Sequence, residues 1–240
     1  MATVPKFSVD TRDSFPLWSE NHKRGGCRKG EIKMLLVEKY RPTTLGGFIG
    51  ITQAREDAAD FVANPYSSAW CFVGASGTGK TTLAQAIAAE LGAQVHHIAS
   101  QNCTVETVKS LRHSLAFAPM FGSRWHVVIV DEADEMSGAA ENAWLSLTDS
   151  TNRPVDTIII FTCNSTEKLQ KRFLSRCEVV EFSSYGIAKE TADLLADVWE
   201  KETANAAPAP NFARIVKEAN NNVRESLQVL QKFVRRATRA

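Results

Sequence analysis

From Ala69 onward, short apolar runs alternate with stretches of helical period, a rhythm that predicts a parallel β-sheet covered by helices. Five runs rich in β-branched or aromatic residues predict strands over 69–73, 95–99, 125–130, 157–162 and 178–182. Between them Leu83, Ala84, Ile87, Ala88 and Leu91 recur at spacings of three and four, as do Ala140, Ala143, Trp144 and Leu147. Each intervening helix therefore has one face to lay on the sheet.

After Ser184 the strand signals stop. The pattern predicts helices over 187–203, 211–219 and 223–236, with a break at Ala206-Ala207-Pro208-Ala209-Pro210. Val223, Leu227, Leu230 and Val234 form one stripe on the last helix, which a lone helix could not bury. The first 34 residues mix Pro, Gly, Ser and charge without any period. The expected organisation is a loose basic extension over 1–34, an α/β domain over 35–184 and a small all-helical domain over 185–240. No internal repeat is visible.

Composition narrows the class. With 240 residues, 44% hydrophobic and 23% charged, the chain is an ordinary globular protein of one large domain or two unequal ones. Collagen-like, low-complexity and wholly disordered classes are excluded. A net charge of +1 gives no global argument for a polyanionic partner, but residues 22–33 and 232–240 each carry +4, leaving −7 elsewhere. Such ends read either as solvated tails or as nucleic-acid contacts through Lys232, Arg235, Arg236 and Arg239 at the C-terminal end. Five cysteines, with no C-x-x-C pair and no His at ligand spacing, indicate neither a disulfide framework nor a zinc site. The N-terminus lacks an apolar signal core, and the densest apolar runs, 127–130 and 158–161, fall far short of a membrane span. A cytoplasmic, nucleoid or host-cytoplasmic location is expected, with no membrane partner.

The chemistry concentrates at two strand ends. Gly74-Ala75-Ser76-Gly77-Thr78-Gly79-Lys80-Thr81 satisfies G-x-x-x-x-G-K-[ST] directly after a predicted strand and before a predicted helix, with Thr82 following. Glycines at 74, 77 and 79 let successive backbone N–H groups turn inward, and the helix starting near Lys80 adds its positive dipole end. Such a cradle selects polyphosphate. Lys80 would reach the β- and γ-phosphates, and Thr81 would sit on Mg²⁺. The apolar run Val127-Val128-Ile129-Val130 ends in Asp131-Glu132-Ala133-Asp134, putting carboxylates at the end of a strand where ligands collect in parallel sheets. Asp131 suits the metal and Glu132 a general base on water; Asp134 is expected to cap the next helix.

These residues resemble those of an AAA+ ATPase, and the D-E-A-D form is similar to that of clamp-loader subunits. Val37-Glu38-Lys39-Tyr40-Arg41-Pro42 followed by Phe48-Ile49-Gly50 resembles the N-terminal box of replication-factor-C-type small subunits, which implies that Tyr40 and Arg41 line an adenine site. Thr162-Cys163-Asn164 resembles the sensor-1 strand end, implying that Asn164 polarises the γ-phosphate or water. Ser175-Arg176-Cys177 resembles the S-R-C motif, implying that Arg176 acts across a subunit boundary, with Arg172 as a rival. Val223-Arg224-Glu225-Ser226-Leu227 resembles sensor 2, implying that Arg224 points back at the nucleotide from a helical lid.

The resemblance spans about residues 35 to 238 and implies a P-loop AAA+ fold: a five-stranded parallel sheet, flanking helices and a lid. It implies ATP and Mg²⁺ as cofactors, other AAA+ subunits, a sliding clamp and primer–template DNA as partners, and weak ATPase activity for a subunit alone. Two departures stand out. The family's third, helical collar domain has no room in this sequence, and the helix after D-E-A-D reads Glu141-Asn142-Ala143-Trp144 where the family typically has a basic pair. An AAA+ DNA-binding regulator that forms ATP-dependent rings or filaments is the alternative function. A nucleotide-binding scaffold without turnover is disfavoured by intact Lys80, Asp131 and Glu132.

Overall fold

A computed structural model describes residues 34–119, 122–204 and 208–238. Within them the strands are β1 (Ser68–Gly74), β2 (Gln94–Ala99), β3 (His126–Asp131), β4 (Thr157–Cys163) and β5 (Glu178–Phe182). All pair in parallel, in the order β2-β3-β4-β1-β5. The chain thus builds outward from β1 to β2, returns through β3 and β4, and places β5 on the far edge.

A parallel sheet needs both faces covered, and the pleat sends alternate residues to opposite sides. Trp70, Phe72, Val127, Ile129, Ile158 and Ile160 pack on one side with Leu83 and Ile87 of α3 (Lys80–Glu90) and Phe61 of α2 (Thr52–Ala63). Cys71, Val128, Val130, Ile159 and Phe161 pack on the other, against Leu111 of α4 (Val105–Ser114), Trp144 and Leu147 of α5 (Gly138–Thr148), and Phe173 of α6 (Lys171–Leu174). β3 and β4 lie between other strands, so both are buried along nearly their whole length and their middles, 127–130 and 158–161, are apolar. The edge strands β2 and β5 expose Val95 and Val179 and intersperse polar residues.

The helix starts follow local hydrogen bonding. Thr104 and Ser137 cap α4 and α5 by accepting from Thr107 N–H and Ala140 N–H. Ser137, not Asp134, therefore caps α5. Asp134 lies in a 3₁₀ turn, Ala133–Glu135, with its side chain buried and its Oδ1 lacking a hydrogen-bond partner among the described residues.

A third core joins α7 (Ala188–Thr203), α8 (Phe212–Glu218) and α9 (Val223–Ala237). Leu227, Leu230 and Val234 of the predicted stripe meet Leu195, Val198 and Trp199 there. Leu36 of α1 (Leu36–Lys39) is buried in this helical core, and Gln231 Oε1 accepts from its N–H at 2.7 Å. The segment before the sheet thus packs on the helices after it. The four cysteines at 71, 103, 163 and 177 are free thiols. Cys27, the basic run 22–33, residues 206 and 207 of the break, and Arg239 lie outside the described residues.

Candidate functional site

The loop from Gly74 to Gly79 leaves the C-terminal end of β1 and delivers the chain to α3. Gly79 stands at the N-cap of α3 with φ 99° and Gly77 has φ 80°, a left-handed conformation that side-chain-bearing residues disfavour. Lys80, the first helical residue, folds back over the loop. Its Nζ donates to Gly74 O at 2.5 Å, Ala75 O at 2.9 Å and Asn164 Oδ1 at 3.3 Å. Burial draws the Lys80 ammonium below its ordinary range and Arg224 adds to this, while Asp134 and Asp131 oppose it.

The strand ends supply the acids. Asp131 Oδ1 accepts from Thr81 Oγ1 at 2.7 Å and from Thr162 Oγ1 at 2.9 Å, and Asp131 Oδ2 lies 2.5 Å from His97 Nε2 at the end of β2. Burial pushes the Asp131 carboxyl up, but the bonds from Thr81, His97 and Thr162 outweigh it and hold it below the usual carboxylate range. Glu132 follows with a left-handed backbone, φ 55°, and its N–H donates to Thr162 Oγ1 at 3.3 Å.

One cavity gathers Lys80, Thr81, Thr82, Asp131, Glu132 and Asn164, together with Ser76, Gly77, Gly79, Arg41 and Arg224. A second, continuous through Arg41, Gly77, Gly79, Thr82 and Arg224, is walled by Tyr40, Pro42, Phe48, Thr78, Leu194 and Leu227. The first is polar and sets the cations Lys80, Arg41 and Arg224, which a polyphosphate requires, beside the carboxylates Asp131 and Glu132, which a hard cation requires. The second is a mostly apolar slot against the helical core, suited to a flat base. Thr81 and Asp131 offer oxygen donors of the kind Mg²⁺ takes. Tyr40 is fixed at the slot by its hydroxyl, which donates to Glu202 Oε1 at 2.8 Å; burial, with that carboxylate, pushes the phenol up to about 12.

The predicted nucleotide residues other than Gly74 thus line these two cavities, and the Gly74 carbonyl meets the site as an acceptor for Lys80 Nζ. Arg176 does not. It precedes β5, whose Glu178 pairs with Trp70 while Phe182 pairs with Gly74, so Arg176 sits at the opposite end of the sheet from its own phosphate loop. Its Nη1 donates to Arg172 O at 2.5 Å, and its Nε lies 3.6 Å from Asp149 Oδ2. Arg172 is engaged with Gln170 Oε1 and Asn142 Oδ1 on α5.

Three residues at the site make contacts that the sequence did not disclose. His97 and Thr162 hold Asp131, as described. Asn222 caps α9 by accepting from Glu225 N–H and donates from Nδ2 to Ser76 O at 2.8 Å. It thereby ties the helix bearing Arg224 to the phosphate loop. An Asn before an apolar-periodic run signals a helix cap, but only the fold shows its second partner.

A phosphate-binding loop between β1 and α3, acids at the end of β3 with β4 between the two strands, and a helical cluster over the base slot define a P-loop nucleotide-binding protein of α/β class. Residues 70–185 match the family model for "ATPase family associated with various cellular activities (AAA)". That stretch of the chain is thus similar to an AAA domain, and the chain as a whole is similar to replication factor C subunits. It is 32% identical over 212 residues to replication factor C subunit 3 of Blastobotrys adeninivorans, covering 85% of this chain and 61% of that one. It is 28% identical to the replication factor C small subunit of Natronomonas pharaonis, covering 89% of this chain and 65% of the relative. The chain therefore spans less than two thirds of the length of these two relatives. The Thermotoga maritima RuvB Holliday junction branch migration motor shares the fold, with a TM-score of 0.64 at 19% identity over 80% of this chain and 64% of that one.

Proposed function

We propose that the chain is a Mg²⁺-dependent ATPase subunit of a clamp-loader-like assembly acting on DNA in replication. The observation that carries this reading is the convergence of Lys80, Thr81, Asp131, Glu132, Asn164 and Arg224 on one cavity beside a base-sized slot, in a chain whose relatives are named replication factor C subunits.

Lys80, on contact with a polyphosphate, exchanges its bonds to Gly74 O and Ala75 O for the β- and γ-phosphate oxygens. Mg²⁺, held by Thr81 and Asp131, would neutralise charge developing between those phosphates. Glu132 orients a water and takes its proton as the water oxygen bonds the γ-phosphorus; the bond to the bridging oxygen breaks, and ADP leaves with the electron pair. Asn164 steadies the γ-phosphate or water from β4. Arg224 reaches the phosphates from α9, so occupancy is felt by the helical lid, residues 185–240.

Arg176 completes a neighbour's site in this reading. Its distance from its own phosphate loop, along the whole of β5, supports action in trans; so does the resemblance of Ser175-Arg176-Cys177 to the family motif. An arginine supplied in trans is worth roughly 10³–10⁵ in rate in related P-loop chemistry, so an isolated subunit is a poor enzyme. The partners are other AAA+ subunits, a ring-shaped clamp and primer–template DNA, in the cytoplasm or nucleoid; among the described residues no helix is long and apolar enough to cross a membrane.

A second reading, an AAA+ regulator assembling on DNA, draws support from α5. Where clamp loaders typically carry a basic pair, Glu141 is buried and accepts from Gln170 N–H at 2.7 Å and Gln170 Nε2 at 2.9 Å. ATPase assays with primed DNA alone and with primed DNA plus a clamp separate the two. Stimulation that requires the clamp supports the loader; full stimulation by DNA alone supports the regulator.

A further inference from the structure

We propose that Thr162 is a positioning residue for ATP hydrolysis, its one hydroxyl holding the metal-side carboxylate Asp131 and the base Glu132 in a fixed relation. The inference rests on the ATPase reading above and adds to it a residue on a different strand from either acid.

Thr162 lies near the end of β4 and is 2% exposed. A buried hydroxyl must find partners, and here their roles are fixed by chemistry. Asp131, ionised, can only accept, so Thr162 gives it the single hydroxyl proton at 2.9 Å. Glu132 N–H can only donate, so it meets a Thr162 lone pair at 3.3 Å. The two bonds are therefore compatible at once, and they span consecutive residues of the neighbouring strand end.

That span matters because Glu132 is strained. A φ of 55° is a left-handed backbone that a long side chain occupies only where its surroundings impose it. The opposite side of the turn is tied by Glu135 N–H donating to Glu132 O at 2.9 Å; the N–H side is tied by Thr162. Removing the hydroxyl would leave the Glu132 N–H without this acceptor and free the peptide to rotate, swinging the carboxylate that faces the cavity. Thr81 donates to the same Asp131 oxygen at 2.7 Å, so the metal-side acid keeps a second tether and nucleotide binding should survive.

The test compares Thr162→Val and Thr162→Ser in the full chain, reading equilibrium binding of a non-hydrolysable ATP analogue, single-turnover ATP hydrolysis with primed DNA, and thermal stability. Valine keeps the packed shape and loses the hydroxyl; serine does the reverse. A positioning role predicts that Thr162→Val hydrolyses about 10–100-fold more slowly, with analogue affinity within about threefold, and that Thr162→Ser stays within about threefold of wild type. Turnover then ranks serine above valine even where stability ranks valine above serine. Should Thr162→Val fail to fold, Thr162→Cys, similar in size with a weak donor, takes its place under the same prediction. Turnover that follows stability, or a valine variant as fast as wild type, overturns the role of Thr162 alone. Absence of hydrolysis by the wild-type chain with primed DNA, clamp and partner subunits overturns the ATPase reading, and this inference with it.

Discussion

Gly77→Ala probes the joint between the phosphate loop and α9. Gly77 has φ 80°, and a Cβ there would lie 2.8 Å from Asn222 Nδ2 and 3.0 Å from Asn222 Cγ. Alanine in a left-handed conformation costs about 1–2 kcal/mol. The methyl also displaces Asn222, which forfeits its N-cap bond to Glu225 N–H, about 1 kcal/mol, and its bond to Ser76 O, again about 1 kcal/mol. The variant should therefore lose about 3–4 kcal/mol, a large share of the stability of an ordinary domain. Asn222→Ala alone removes the two bonds and should cost about 2 kcal/mol.

The two effects should not add. With Asn222 already truncated, Gly77→Ala meets no obstacle and costs only its backbone term, so the double variant should be little less stable than Gly77→Ala. Denaturant titrations of the four proteins measure this coupling, about 2 kcal/mol. Strict additivity would show that Asn222 moves aside freely and that the contact between the loop and α9 carries no energy.

Four further outcomes follow from the site. Lys80→Ala should abolish measurable ATP binding in an equilibrium assay, because the phosphates lose their main side-chain cation. Glu132→Gln should bind ATP normally yet hydrolyse about 10²–10⁴-fold more slowly; wild-type turnover would remove Glu132 from the base role. Arg176→Ala should bind ATP but fail to stimulate a partner, whereas Lys80→Ala, itself inactive, should still donate its arginine when the two are mixed with DNA. Asp131, held below its ordinary range when folded, stabilises the fold above the unfolded value of about 3.9, and that contribution is lost as pH falls through the lower folded value. The stability gap between wild type and Asp131→Asn should then narrow below about pH 4, as followed by denaturant midpoints across pH.

The legibility of this chain divides by the kind of signal. Strand positions emerged from the sequence to within about one residue because apolar runs report burial directly, as in Ile158 to Phe161 at the sheet centre. Lys80, Thr81, Asp131 and Glu132 were legible because phosphate and metal chemistry restrict residue types at fixed local spacing. What the sequence concealed depends on partners far along the chain. Asn222 and Ser76 are 146 residues apart, Leu36 and Gln231 are 195 apart, and periodicity says that a residue is buried without saying against what. Thr162 read only as part of a strand and of the Thr162-Cys163-Asn164 strand end for the same reason: alternation assigns it a face, while its two hydrogen-bond partners are brought to that face by β3. Asp134 shows the converse. Its place before a helix suggested a cap, but Glu132 turns the chain left-handed and a 3₁₀ turn intervenes, so the capping position falls three residues later, on Ser137. The backbone turn at Glu132 is thus also what displaces the cap, and both trace to strand-end geometry that no local spacing rule encodes.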